Sequence, residues 1–108
     1  MGVSAPLTAG IVIDGRYEIV RPLGAGGMGE VYAARRKSLG DEVAVKRLLP
    51  HQDTPANRQR FATEAQAAAH IRHPNVIQVF DYGDDPAIGP YLVMEKLAQI
   101  DEVAYVRF

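Results

Sequence analysis

Leu23-Gly24-Ala25-Gly26-Gly27-Met28-Gly29-Glu30-Val31 is the stretch on which the reading of this 108-residue chain turns. It contains Gly24-x-Gly26-x-x-Gly29-x-Val31. Glycine at this density frees the backbone to take φ > 0 and removes side chains that would hold a ligand away. Successive amide N–H groups can then point into one concavity and bind a phosphate. A glycine-rich surface turn is written with the same letters, so the flanking sequence has to decide between the two.

Upstream, residues 17–23 alternate loosely, Tyr17, Ile19 and Arg21 against Glu18 and Val20, which predicts a strand ending at the glycines. Downstream the signal is mixed. Val31-Tyr32 favours a strand, whereas Ala33-Ala34-Arg35-Arg36 would suit a helix. A dinucleotide-binding unit needs that helix, and it needs an acidic residue at the end of its next strand. Here Asp41 and Glu42 precede the next strand and Lys46-Arg47 close it, which argues against such a unit. Ser38-Leu39-Gly40-Asp41 reads as a turn, so residues 30–48 are predicted to form a hairpin.

Residues 42–49 make its second strand. Because side chains alternate, Ala44, Lys46 and Leu48 share one face, and Val43, Val45 and Arg47 the other. A small residue two places before a lysine leaves room for a flat group, with the ammonium roughly 6–7 Å further along. A solvated strand-end lysine is the plainer alternative.

A helix is predicted next. Thr54 suits an N-cap and Pro55 the first helical position. Residues 56–71 are rich in Ala, Arg and Gln, good helix formers. At 100° per residue, Phe61, Glu64, Ala65, Ala68 and Ile71 gather on one face. Glu64 would then be a carboxylate in an apolar stripe, costly unless paired, with Lys46 the evident partner. The other reading puts Glu64 at the edge of the stripe, in water. Pro74 ends the helix after His73, and His73-Pro74-Asn75 reads as a structural turn. Residues 76–82 form a further strand, residues 83–90 a turn region, and residues 91–95 a last short apolar strand.

Composition bounds the function. One domain at most fits this length. With 47% apolar residues the chain has the makeup of a soluble globular domain. A net charge of −1 gives no electrostatic case for nucleic acid or an anionic membrane. The absence of cysteine rules out disulfides and thiolate metal sites, and it fits a reducing, cytoplasmic setting. No segment has transmembrane length. Small residues and Pro6 predict a flexible lead-in over residues 1–14.

Taken in order, the glycine stretch, Val43-Ala44-Val45-Lys46, the helix with Glu64, His73-Pro74-Asn75-Val76 and Tyr91-Leu92-Val93-Met94-Glu95 resemble the N-terminal lobe of a protein kinase, and in particular of a bacterial-type Ser/Thr kinase. The resemblance covers residues 17–95. It implies an α+β fold, a five-stranded antiparallel sheet with one helix between strands three and four. The domain would span residues 15–95, followed by a tail, residues 96–108, without the family's pattern. It also implies ATP as ligand. Gly24, Gly26 and Gly29 match the glycines that cover the phosphates. Val31 and Ala44 match the residues flanking the adenine, and Lys46 the lysine on the α- and β-phosphates. Glu64 matches the helix glutamate paired with that lysine. Met94 falls at the gatekeeper position, and Glu95 and Leu97 would offer backbone groups to the adenine.

The departures carry as much weight. After Glu95 the family's aromatic residue and Gly-rich run are missing. Neither His-Arg-Asp nor Asp-Phe-Gly occurs in these 108 residues. Those motifs carry the catalytic base and the Mg2+ ligands in this family, so no catalytic or metal-binding residue is assigned here. Two readings follow. One is a kinase cut at the hinge, with protein substrate and C-lobe supplied elsewhere, if at all. The other is a non-enzymatic, pseudokinase-like interaction module, with Ile100, Val103, Tyr105, Val106 and Phe108 covering the exposed face.

Overall fold

The computed structural model describes residues 6–26, 29–70 and 78–96. Six strands and one helix follow in the order β1 (Val12–Ile13), β2 (Tyr17–Gly26), β3 (Gly29–Arg36), β4 (Glu42–Leu48), α1 (Pro55–Ala69), β5 (Val79–Asp85) and β6 (Gly89–Glu95). A 3-10 turn, Pro50–Gln52, leads into α1. The strands form one antiparallel sheet in the order β1-β2-β3-β4-β6-β5.

β4 is the axis of the fold. Every residue from Val43 to Leu48 is buried, as befits a strand covered on both faces. Val43 and Val45 enter a core with Tyr17, Ile19, Tyr32, Ala34, Tyr91 and Val93. Leu48 faces the opposite way, into a core with Phe61, Ala65 and Ala68 of α1 and with Val79 and Leu92. The turn before β4 is made by Gly40 at φ 77°, a conformation that costs glycine little. The ambiguous run 33–36 is strand, because Ala33 and Ala34 are each fully buried, one on either face of the sheet. Tertiary burial overrides alanine's helix preference, as tertiary context routinely does.

β2 bears two irregularities in its pairing with β3, between Ile19 and Arg21 and between Pro22 and Gly24. Each inserts a residue and reverses the side-chain parity beyond it. Tyr17 and Ile19 therefore point into one core, while Leu23 reaches the other. Simple alternation, which grouped Arg21 with Tyr17 and Ile19, does not survive these bulges; Arg21 is exposed.

α1 begins as expected: the Thr54 hydroxyl accepts the Asn57 N–H at 3.1 Å, and Pro55 opens the helix. Its described end is Ala69, with His70 at the C-cap. Ile71 and the His73-Pro74-Asn75 turn lie outside the described residues. The strand expected from residue 76 is described from Val79, and it runs on to Asp85, into what was read as the turn.

Two expectations are corrected. The sheet has six strands, not five, because Val12–Ile13 pairs with β2. Residues 6–14 are accordingly no loose lead-in. Leu7 and Ile13 are 4% and 0% exposed and belong to the core beneath β3 and β4. The Leu7 N–H also donates to the Tyr32 hydroxyl at 2.9 Å. An apolar run too short to register as an element was still long enough to cap an open core.

The sheet curls until its edges meet through side chains. The Asp14 N–H donates to Asp85 Oδ2 at 2.7 Å, and the Tyr17 hydroxyl to Asp81 Oδ2 at 2.8 Å. Arg16 reaches Asp81 at 3.0 Å, and the Tyr91 hydroxyl donates to Asp14 at 2.6 Å. Asp14 adopts φ 53°, which aspartate tolerates better than most residues.

Two predictions follow from this packing. Leu7→Ala will destabilise the fold by about 2–3 kcal/mol in urea unfolding, the scale of a buried Leu truncation; a loose segment would give under about 0.5 kcal/mol. The second concerns alkaline pH. Burial, and then the bond to Asp81, push the Tyr17 hydroxyl up to about 12. The folded state thus holds this proton more tightly than the unfolded chain. Its stabilising effect is complete below about pH 10 and is lost as pH rises from 10 to 12. Tyr17→Phe will flatten the fall in stability across that window relative to the parent chain.

Candidate functional site

Strand pairing brings several of the residues singled out in the sequence into neighbouring rows. Gly24 sits opposite Val31, Val31 opposite Lys46, and Lys46 opposite Leu92. In the adjacent row Ala33 faces Ala44, and Ala44 faces Met94. Directly opposed residues present their side chains on the same face of the sheet. Leu23, Val31, Ala33, Ala44 and Met94 make one apolar cluster there, with Val20 packed at its side. Lys46 lies one row along. The predicted face, Ala44 and Lys46 together with Leu48, is the one observed.

Gly24 and Gly26 end β2 and Gly29 opens β3, with Gly26 opposite Gly29. Gly27 and Met28 lie outside the described residues. The three glycines do not owe their place to positive φ, which among the described glycines occurs at Gly10, Gly15, Gly40 and Gly89. Gly29 serves close approach instead. A Cβ at this position would stand 2.7 Å from the Arg47 carbonyl oxygen and 3.0 Å from Lys46 Cε. The missing side chain lets the hairpin lie directly against the Lys46 segment.

Lys46 is 6% exposed. Burial depresses the pKa of its ammonium, and the charge of Glu64 opposes that shift. Glu64 itself is exposed on α1. The expectation of a carboxylate within the apolar stripe is therefore corrected. Phe61, Ala65 and Ala68 form the buried stripe, and Glu64 lies roughly 60–70° off its centre at 100° per residue. From that edge it stays hydrated while its field reaches the lysine. An opposite charge nearby favours the protonated form that burial disfavours.

Glu95 closes β6 opposite Val43, and its amide N–H donates to the Gln78 carbonyl at 2.8 Å. The Glu95 group assigned to a ligand by resemblance is its carbonyl, which this bond leaves untouched. Leu97 lies outside the described residues. Sequence reasoning missed Leu23 and Ala33 as part of the apolar cluster. For Ala33 a signal existed, since it stands two residues after Val31 in a strand. For Leu23 none did, because its orientation depends on the bulges in β2.

A separate cavity of about 310 Å3 opens between the start of α1 and the β5–β6 turn, lined by Asp53, Arg58, Asp84 and Ile88 among others. Its charges satisfy one another: Arg58 bonds to Asp53 and, at 2.9 Å, to Asp84. Among the described residues no group of three His, Cys, Asp or Glu could hold a metal ion. No described helix is long and apolar enough to cross a membrane.

Comparison with known proteins identifies the family. The model of the protein kinase domain family matches residues 17–106, and the chain belongs to that family. The match continues past Glu95, where the motif-by-motif resemblance ends. The chain is 42% identical over 95 residues to the serine/threonine-protein kinase PrkC of Bacillus subtilis, covering 87% of this chain and 14% of that protein. It is 44% identical over 77 residues to the serine/threonine-protein kinase pkn2 of Myxococcus xanthus, covering 68% of this chain and 9% of that protein. The PknI kinase domain of Mycobacterium tuberculosis superposes with a TM-score of 0.69 at 31% identity, over 85% of this chain and 37% of that one. The curled sheet with helix α1 is thus the α+β N-lobe of a protein kinase. This chain spans a small fraction of the length of the relatives it matches.

The contact at Gly29 yields a prediction with a definite sign. In extended backbone, Gly→Ala is ordinarily stabilising by about 0.4–1 kcal/mol. Here the new Cβ meets a backbone oxygen that cannot rotate away, so Gly29→Ala will destabilise by about 1–3 kcal/mol in urea unfolding.

Proposed function

We propose that this chain is the ATP-binding lobe of a protein serine/threonine kinase, a family whose reaction carries the γ-phosphate of ATP to a Ser or Thr hydroxyl of a protein. The observation that carries the reading is the row Gly24, Val31, Lys46 beside the apolar cluster of Val31, Ala33, Ala44 and Met94. Such a surface suits a ligand that is flat and apolar at one end and anionic at the other.

The residues fit that ligand. Gly29 opens the space over Lys46 that any side chain would fill. Val31 and Ala44, with Met94 behind them, give the adenine an apolar bed. The Glu95 carbonyl and the backbone of Leu97 lie in sequence where the adenine edge would be met. The Lys46 ammonium, held protonated with help from Glu64, binds the α- and β-phosphates. ATP, once bound, supplies the phosphoryl group. The chain's own part is to bind and orient it, and positioning of this kind accounts for much of phosphoryl-transfer catalysis. Mg2+ is expected with the nucleotide, but the described residues offer no ligand set for it.

These 108 residues contain no candidate for the catalytic base. Alone, they bind nucleotide and transfer no phosphate; the protein substrate and the rest of the catalytic machinery belong to a C-lobe. A cytoplasmic setting suits the cysteine-free sequence and the use of ATP.

Calorimetric titration with Mg-ATP tests this. The chain will bind more weakly than micromolar, and Lys46→Ala will weaken binding by about tenfold or more, the value of a charge-assisted contact. No radiolabelled phosphate will pass to a protein substrate. Binding that is absent, or indifferent to Lys46→Ala, overturns the reading.

A further inference from the structure

On the reverse face of the sheet, Glu30 and Arg47 are direct cross-strand partners. Arg47 is 1% exposed, a guanidinium inside a core, and its Nε and Nη2 approach Glu30 Oε1 at 2.9 and 2.8 Å. The Tyr32 hydroxyl donates to the same oxygen at 2.9 Å, and that hydroxyl accepts the Leu7 N–H. Glu30 stands between Gly29 and Val31, and Arg47 directly follows Lys46. By strand alternation, the pair faces away from the apolar cluster and the lysine.

Taking the nucleotide-binding reading as its basis, we propose that Glu30 and Arg47 are positioning residues for the triphosphate: their ion pair locks the glycine hairpin in register over Lys46 from behind the sheet. Two features of the structure make the pair suited to this. Its members are the immediate chain neighbours of the groups they would align, so a shift of either moves Gly29, Val31 or Lys46 with it. The Arg47 carbonyl is also the atom against which Gly29 packs. The link between the hairpin and β4 is thus doubled at this one row, by an ion pair on the reverse face and by backbone packing beside the lysine. Tyr32 extends the lock to the N-terminal segment, whose Leu7 is held by the same hydroxyl. A buried ion pair is weak evidence of net stability, but its strict geometry is well suited to fixing a register.

The expected signature is a split between two ligands. Adenosine uses the apolar bed alone, whereas ATP also needs the hairpin and Lys46 in mutual alignment. The test is titration of isotope-labelled chain with Mg-ATP and, separately, with adenosine, followed by NMR. The parent will bind Mg-ATP more tightly than adenosine. Glu30→Gln will weaken Mg-ATP binding by about three- to tenfold, the scale of one or two aligned hydrogen bonds, and leave adenosine affinity unchanged. Arg47→Lys, which keeps the charge and the fold but loses the two-nitrogen grip, will show the same split to a smaller degree. It serves as the deciding variant if Glu30→Gln fails to fold. Equal weakening of both ligands, or of neither, overturns the positioning role while the nucleotide site stands. A parent chain with no preference for Mg-ATP over adenosine overturns the nucleotide reading and this inference together.

Discussion

The burial of β4 on both faces is the constraint on which the rest depends. A strand at the centre of a sheet, with a core on each side, has no freedom of register: a slip of one residue would exchange Val43 and Val45 for Ala44 and Lys46 and drive the ammonium into the curled core. Pairing with β3 on one edge and β6 on the other then fixes Val31, Lys46 and Leu92 in one row and Ala33, Ala44 and Met94 in the next. The candidate site is a consequence of that register.

Charge is distributed to suit this frame. Lys46 and Arg47 are adjacent in sequence, both are buried, and they point to opposite faces. Each is held by a carboxylate at the right depth. Arg47, deep in the core, has Glu30 within hydrogen-bonding distance. Lys46, on the face of the apolar cluster, feels the charge of Glu64 from the edge of α1.

The closure of the sheet has a different character. Its two edges are joined by polar side chains from Asp14, Arg16, Tyr17, Asp81, Asp85 and Tyr91, of which Tyr17, Asp85 and Tyr91 are buried and Asp14 and Arg16 exposed. Hydrogen bonds to charged groups hold geometry well where packing cannot. The aromatic rings of Tyr17 and Tyr91 meet edge to face at 6.0 Å, giving the polar cluster an apolar floor. Leu7, Ile11 and Ile13 seal what remains.

Much of this was legible in the sequence because its signals are local. Alternation in 42–48 put Ala44 and Lys46 on one face, Thr54-Pro55 marked the helix start, Gly40 marked a turn, and the spaced glycines with the lysine and the helix glutamate identified the family. Other features were beyond it. The strand at Val12–Ile13 has too few residues to show a period. The bulges in β2 turn Leu23 toward the site, and no residue type announces a bulge. The exposure of Glu64 depends on where α1 sits against Leu48 and Leu92, which the helix's own periodicity leaves open by some tens of degrees. Whether Glu30 met Arg47 required the pairing of β3 with β4 to the exact residue. Sequence by itself determined which faces are apolar and which residue types could do the chemistry, since both depend on spacing along a single element. Tertiary structure alone decided which elements are neighbours and in what register, because those are set by contacts between distant segments competing for the same buried space.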